Sequence, residues 1–253
     1  MEPKEEQGGE AARRTPLNRE RVLRAAVALA DTGGIESLSM RKLAQELGVV
    51  PMALYKHVAN KDQLLDGMLD AVVGEIDPPQ DGPDWQDVVR RRILSARRVL
   101  LRHPWTARVI ESRATPTPAV LAYLDSTIGT LRDGGFSADL AHHAMHAMGS
   151  RLLGFSQELF DTSGGDTASD PAPDPGMAQR YPRIAEMAMT AAHDGRSVVG
   201  GSGGGCDDQS EFEFALDLLL DGLERLRGRG WSSAAGAGMG MGMGMGAAGP
   251  ATG

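Results

Sequence analysis

An all-α fold is what this 253-residue sequence predicts. No stretch sustains the alternation of β-branched residues that a strand needs, and aromatic residues make up only 4% of the chain. Apolar residues instead recur three and four positions apart over several turns, between breaks rich in Gly, Pro and Asp. At 41% hydrophobic and 24% charged, the chain can bury one or two ordinary cores. Its longest apolar stretches, such as the one around Ala25 to Ala30, fall well short of the roughly 20 residues a membrane span needs, so no membrane partner is expected. Met1 to Glu10 has no apolar signal-peptide run, and a lone Cys206 excludes an intrachain disulfide framework. Both fit a cytoplasmic protein.

Taken in order, residues 1–16 read as a flexible polar arm. A first helix starts after Asn18, a good N-cap, with Leu17 able to staple to Val22. Val22, Ala26 and Leu29 form its apolar stripe, and Gly33-Gly34 supplies a left-handed stop. Ser39 caps a second helix with Leu43 and Leu47 inward, ending at Gly48. Pro51, at a first helical position, opens a third helix of about two turns with Leu54 and Val58 inward. Asn60 and Gln63 form a cap and capping-box pair for a fourth, through Leu64, Leu65, Met68 and Val72. Two short helices joined at Gly48 and braced by a longer one make a helix-turn-helix, so residues 17–77 are expected to form a three-helix DNA-binding domain.

A Pro/Gly/Asp linker, Asp77 to Asp84, follows. Beyond it, helical patterns run over Trp85 to Leu101, Pro116 to Asp133, Ser137 to Phe160, Met177 to His193 and Glu211 to Arg227. Loops rich in Gly, Ser, Pro and Asp separate them at 161–176 and 194–210, giving a helical C-terminal domain over 84–228. Residues 229–253 are a Gly/Ala/Met tract whose alternating Gly prevents a helix, and a disordered tail without function is expected there. Two late helices carry wide apolar faces, Leu140, Met148, Leu152 and Phe155 on one and Phe214, Leu218 and Leu223 on the other. A homodimer interface is expected on them.

The net charge of −8 is polarised. Residues 11–61 hold nine Lys or Arg against four Asp or Glu, whereas 62–253 hold 16 against 26. A basic head on an acidic body suits a protein that presents one end to phosphates. Outward positions on the third helix are Met52, Ala53, Tyr55, Lys56 and His57. Met52 and Ala53, with Pro51 beside them, suit apolar contact with base edges, and Lys56 suits bases or phosphate. Tyr55 and His57 suit phosphate oxygens, Lys61 lies at a helix N-terminus that favours an anion, and Arg41 can reach phosphate or guanine. The alternative is an ordinary helical surface, but several donors converging on one face of the basic head favour DNA. Arg13 and Arg14 either enter a minor groove or belong to a solvated tail.

The stretch from Leu17 to Leu69 resembles the DNA-binding domain of the tetracycline repressor (TetR) family. The resemblance rests on the Gly33-Gly34 turn, the run Leu38 to Leu47, Gly48-Val49, Leu54-Tyr55, His57-Val58 and Asn60-Lys61. DWQDVV at 84–89, GGFS at 134–137 and FEFALDLLLDGLERL at 212–226 resemble the regulatory domain of its tetracycline-binding branch. The resemblance implies a homodimeric repressor of palindromic operator DNA, with paired C-terminal helices at the interface, released when a small-molecule effector moves the fourth helix. It places Arg41, Tyr55, His57 and Lys61 at DNA-contacting positions. Where the tetracycline-binding branch has a base-reading Gln followed by Pro and Thr, this chain has Pro51, Met52 and Ala53, so a different operator is implied.

By the same resemblance, Ile110 stands where that branch chelates the drug's metal through His, Arg92 replaces an Asn and Ala96 a Phe, while Glu158 keeps a carboxylate. The cavity implied is lined by Arg92, Ala96, His103, Ile110, Thr127, Met145, Met148 and Arg113, with Glu158 nearby. Largely apolar with a few polar anchors, it suits a bulky, partly aromatic and anionic molecule better than a magnesium chelate. Arg92 alternatively points to solvent among Arg90, Arg91 and Arg97.

Other chemistry is thinly supported. His142 and His146 are spaced to share a helix face as metal ligands, with Glu158 a conceivable third, but no HExxH is present and a polar cavity lining is the favoured reading. There is no G-x-S-x-G elbow, and Gly200 to Gly205 lacks the Lys and the following helix of a phosphate loop. No catalytic residue, metal site or cofactor is assigned, and an enzyme is not expected. The rival functions are a metal-dependent hydrolase with an incidental basic head and a nonspecific architectural DNA binder; a large acidic body argues against the second.

Overall fold

The computed structural model describes residues 16–154, 179–183, 186 and 208–234. Within them the chain is helical and has no strand. The helices are α1 (Arg19–Gly33), α2 (Met40–Glu46), α3 (Pro51–Leu54), α4 (Lys61–Val73), α5 (Trp85–Arg102), α6 (Thr106–Ser112), α7 (Pro118–Asp133), α8 (Ala138–Leu153) and α9 (Asp208–Gly228), with one 3-10 turn at Ile35–Ser37. None of these is long and apolar enough to cross a membrane. Expectations for the 1–15 part of the arm, Phe155, Glu158, the 161–176 loop, nearly all of 177–193, most of the 194–210 loop and the tail from 235 onward lie outside the described residues.

The chain divides into two compact units, residues 1–78 with 94–125 and residues 79–93 with 126–253. In the first, each expected cap is made by the expected side chain. Asn18 Oδ1 accepts from Arg21 N at 2.8 Å, Ser39 Oγ from Lys42 N at 3.2 Å, and Asn60 Oδ1 from Gln63 N at 2.8 Å. Each satisfies an N–H that has no partner inside its own helix. The Gln63 side chain in turn accepts from Ala59 N, one residue earlier than a capping box places that bond. Val22, Leu23, Ala26 and Ala30 of α1, Leu43 and Ala44 of α2, Leu54 of α3, and Leu64, Met68 and Val72 of α4 share one core with Leu38, Val58, Val99, Trp105 and Val109. Gly67 brings α4 against α1, since a Cβ there would stand 2.8 Å from a methyl of Leu23.

In the second unit, α7 ends at Gly135 (φ 87°), whose N–H bonds to Arg132 O while Phe136 N bonds to Leu131 O. That turn drives Phe136 into the core, edge-on to Trp85 with ring centroids 4.6 Å apart. Trp85 donates its indole N–H to Glu224 at 2.9 Å, and Arg90 reaches Asp217 and Glu213, each at 2.7 Å. Asp217 first and then Glu213 hold the guanidinium well above its ordinary pKa.

Two expectations change. A seven-residue helix, α6, stands where periodicity suggested none, because it is too short for a 3.6-residue pattern to declare itself. Leu140, Met148 and Leu223, expected at a subunit interface, are buried inside the single chain, whereas Phe214 and Leu218 are 62% and 54% exposed.

Candidate functional site

The turn between α2 and α3 sets the geometry of the basic head. Gly48 has φ 65°, a conformation costly for any residue carrying a Cβ. Its N–H bonds to Gln45 O at 3.1 Å and that of Val49 to Ala44 O at 2.9 Å, so the chain leaves α2 through a Schellman motif. Pro51 then sits at the first position of α3, where its missing N–H costs nothing. The α-helical part of α3 is four residues, shorter than the two turns expected, and continues as a turn in which His57 N and Val58 N both bond to Leu54 O. Leu54 and Val58 are buried and pin the segment from within.

What faces outward is chemically mixed. Pro51, Met52, Tyr55 and Lys56 are exposed, as are Arg41 on α2 and Lys61 at the start of α4, while Ala53 and His57 are half-buried. Met52 is 73% exposed and Val50 68%, a large apolar outlay for a surface that also carries cations. Val50 was not among the expected site residues. Its position between the Gly48 turn and Pro51 is the signal that could have found it, because the turn carries it onto the same surface. Among the described residues, Arg41, Lys56 and Lys61 form no ion pair. Their charges are therefore not spent on neighbouring carboxylates.

The residues expected to line a cavity divide between the two units. In the second, Arg92 and Thr127 meet, with Nε 3.3 Å from the threonine hydroxyl and a guanidinium nitrogen 2.6 Å from that of Ser126. Arg92 is 8% exposed, so it does not point to solvent. Met148 is buried and Met145 half-buried. In the first unit, Ala96 is buried, and Ile110 packs half-buried against the core. His103 lies between two carboxylates, Nδ1 2.8 Å from Asp31 and Nε2 3.4 Å from Glu75. Trp105 donates to the same Asp31 oxygen at 2.7 Å. Arg113 reaches Asp62 and Asp66 of α4, each at 3.2 Å. Glu158 lies outside the described residues. His142, His143 and His146 are exposed on α8.

Residues 22–68 match the profile of bacterial regulatory proteins of the tetR family, and residues 78–227 that of the tetracyclin repressor-like C-terminal domain. The chain belongs to the TetR family. Tetracycline repressor protein class C of Escherichia coli is 31% identical to it over 216 residues, 83% of this chain and 92% of that protein. An HTH-type transcriptional regulator of Saccharopolyspora erythraea is 41% identical over 121 residues, 47% of this chain, which spans about half the length of that relative (51%). Among solved structures, apo ActR from Streptomyces coelicolor has a TM-score of 0.63 at 28% identity, covering 86% of this chain and 99% of that one. ActR in complex with actinorhodin has a TM-score of 0.58 at 27% identity, covering 85% and 100%.

TetR-family members are transcriptional regulators rather than enzymes. In this member the helix-turn-helix half depends on one carboxylate away from its outer surface. Asp31, near the end of α1, accepts from both Trp105 and His103, which are 5% and 8% exposed. Asp31→Ala would strand two buried polar groups and should lower the unfolding free energy by about 2–3 kcal/mol in urea denaturation. Asp31→Asn, which keeps one acceptor oxygen, should lose less; equal stability of all three proteins would refute the assignment.

Proposed function

We propose that the chain is a homodimeric repressor that binds a pseudopalindromic operator through α3 and releases it when a small-molecule effector occupies the helical body. The observation that carries this reading is the surface at α2 and α3: a Schellman turn and two buried anchors fix a short helix whose outer face combines Met52, Tyr55 and Lys56 with Arg41 and Lys61. In this reading Pro51, Met52 and Ala53 meet base edges, with Val50 extending the apolar contact, and thymine methyl groups are the natural partners. Arg41, Tyr55, Lys56, His57 and Lys61 grip phosphates or bases on either side. Residues 17–77 act as the DNA-binding head, 84–228 as the regulatory and dimerising body, and the protein works in the bacterial cytoplasm.

Support for an effector comes from the body and from a relative. Arg92 with Thr127, and Met148 with Met145, offer buried polar anchors and adaptable apolar groups. ActR, 27% identical, is known in complex with actinorhodin. Arg113 gives α6 a direct hold on α4 through Asp62 and Asp66, so a shift of α6 would be felt at the helix that Lys61 begins. Ile110 has no metal-binding atom, and a magnesium chelate is not the expected effector.

On a selected operator, Lys61→Ala should weaken binding for every sequence and reduce the slope of log affinity against log salt by about one. Tyr55→Ala should weaken binding by about 1 kcal/mol and leave that slope unchanged, because it removes a neutral donor. Unchanged affinity in both variants would contradict the docking. Dimerisation rests on Phe214 and Leu218, one helical turn apart on α9 and exposed in the single chain. Leu218→Arg should sediment as a monomer of unchanged helicity that no longer binds operator; a stable dimer would place the interface elsewhere.

A further inference from the structure

We infer, on the basis of the DNA docking proposed above, that Arg113 is a positioning residue for operator binding: it masks the Asp62 carboxylate, which would otherwise repel the phosphate that Lys61 grips. Lys61 opens α4, is exposed, and forms no ion pair among the described residues. The next residue is Asp62, whose side chain is 77% exposed. A carboxylate in the first turn of a helix offsets the positive end created by the unpaired N–H groups, and here it also adjoins the phosphate-binding cation. Lys61 and Asp62 together carry no net charge. By themselves they would make the start of α4 a poor site for an anion.

Arg113, the residue that follows α6, changes that balance. Its Nη1 lies 3.2 Å from Oδ1 of Asp62 and 3.2 Å from Oδ1 of Asp66, its Nη2 lies 3.3 Å from the same Asp62 oxygen, and its Nε lies 3.5 Å from the Ser112 hydroxyl. The Arg113 side chain is only 16% exposed, so it is laid against α4 rather than offered to DNA. Asp66 is four residues further along α4, roughly 6 Å from Asp62 along the helix axis, which makes Asp62 the acid that matters beside Lys61. Among the described residues, Arg113 is the one cation paired with Asp62. The same short helix serves a second acid of the head, since Arg108 pairs with Glu36 ahead of α2. Arg113 differs from Arg108 in its burial and in having Lys61 next to its partner. An unmasked carboxylate roughly 8 Å from a phosphate weakens binding about threefold when the effective dielectric is close to that of water. A dimer has two such positions, so the loss reaches about tenfold.

The test is charge compensation, read by fluorescence anisotropy of the full chain on a duplex that it selects from random DNA, at about 0.1 M salt. Arg113→Gln should bind about tenfold more weakly than the wild type. Asp62→Asn combined with Arg113→Gln lacks the same brace between α6 and α4 but restores the wild-type net charge, and it should return to within about threefold of wild-type affinity. Arg113→Lys, which keeps the charge without the planar fork, should also stay within about threefold. The Arg113→Gln deficit should shrink as salt rises from about 0.1 to about 0.3 M, because the screening length shortens. A double variant as weak as Arg113→Gln would make Arg113 a brace alone and overturn the masking role. Arg113→Gln binding as tightly as the wild type would overturn it as well, with the docking of α3 intact. A wild-type chain that selects no duplex would overturn that docking together with the role of Arg113, so the two failures are distinct.

Discussion

Helix α3 has four residues, and a helix that short pays the full entropic penalty of nucleation with almost no hydrogen bonds in return. Its direction must be imposed from outside. Three features impose it: the positive φ at Gly48, the fixed φ of Pro51, and the burial of Leu54 and Val58 beside Leu43. The first two limit how the chain leaves α2 and enters α3. The third chooses which side of α3 faces inward, and so which side is offered outward. Every statement about Met52, Tyr55 or Lys56 depends on that choice. The same core continues through α4 to Trp105 and Val109, so the exposed face is as firmly placed as the core of the whole unit.

Much of this was legible in the residues because it is local. Asn18, Ser39 and Asn60 announce helix starts through side chains that bond three residues on, and Gly48 announces a stop through its backbone alone. What was not legible is what depends on distant partners. Leu140, Met148 and Leu223 satisfy a helical pattern equally well whether they face their own core or a second subunit; only their burial decides. His103 is expected to line a cavity, and nothing local in the sequence announces that Asp31 and Glu75, 72 and 28 positions away, stand against its two ring nitrogens. Val50 was not legible by residue type, because an apolar side chain predicts burial and here, beside the Gly48 turn, it is exposed.

Charge is organised at two levels. In the second unit, acidic residues of α9 are spent on structure, with Glu224 on Trp85, and Asp217 and Glu213 on Arg90. In the first, Asp62 and Asp66 hold Arg113 and Asp31 holds Trp105. The cations on α2, α3 and the start of α4 are left outside this arrangement. The basic head read from the sequence therefore keeps the charges of Arg41, Lys56 and Lys61 on its surface, since among the described residues none of the three forms an ion pair.

The claim most exposed to experiment is that this placed face reads DNA as one of a symmetric pair. Selection of bound duplexes from random DNA, followed by hydroxyl-radical footprinting of the selected sites, tests it directly. The account predicts an inverted repeat with two protected major-groove segments centred about 34–36 Å apart, one helical turn. A single asymmetric footprint, or protection that does not depend on sequence, would contradict it.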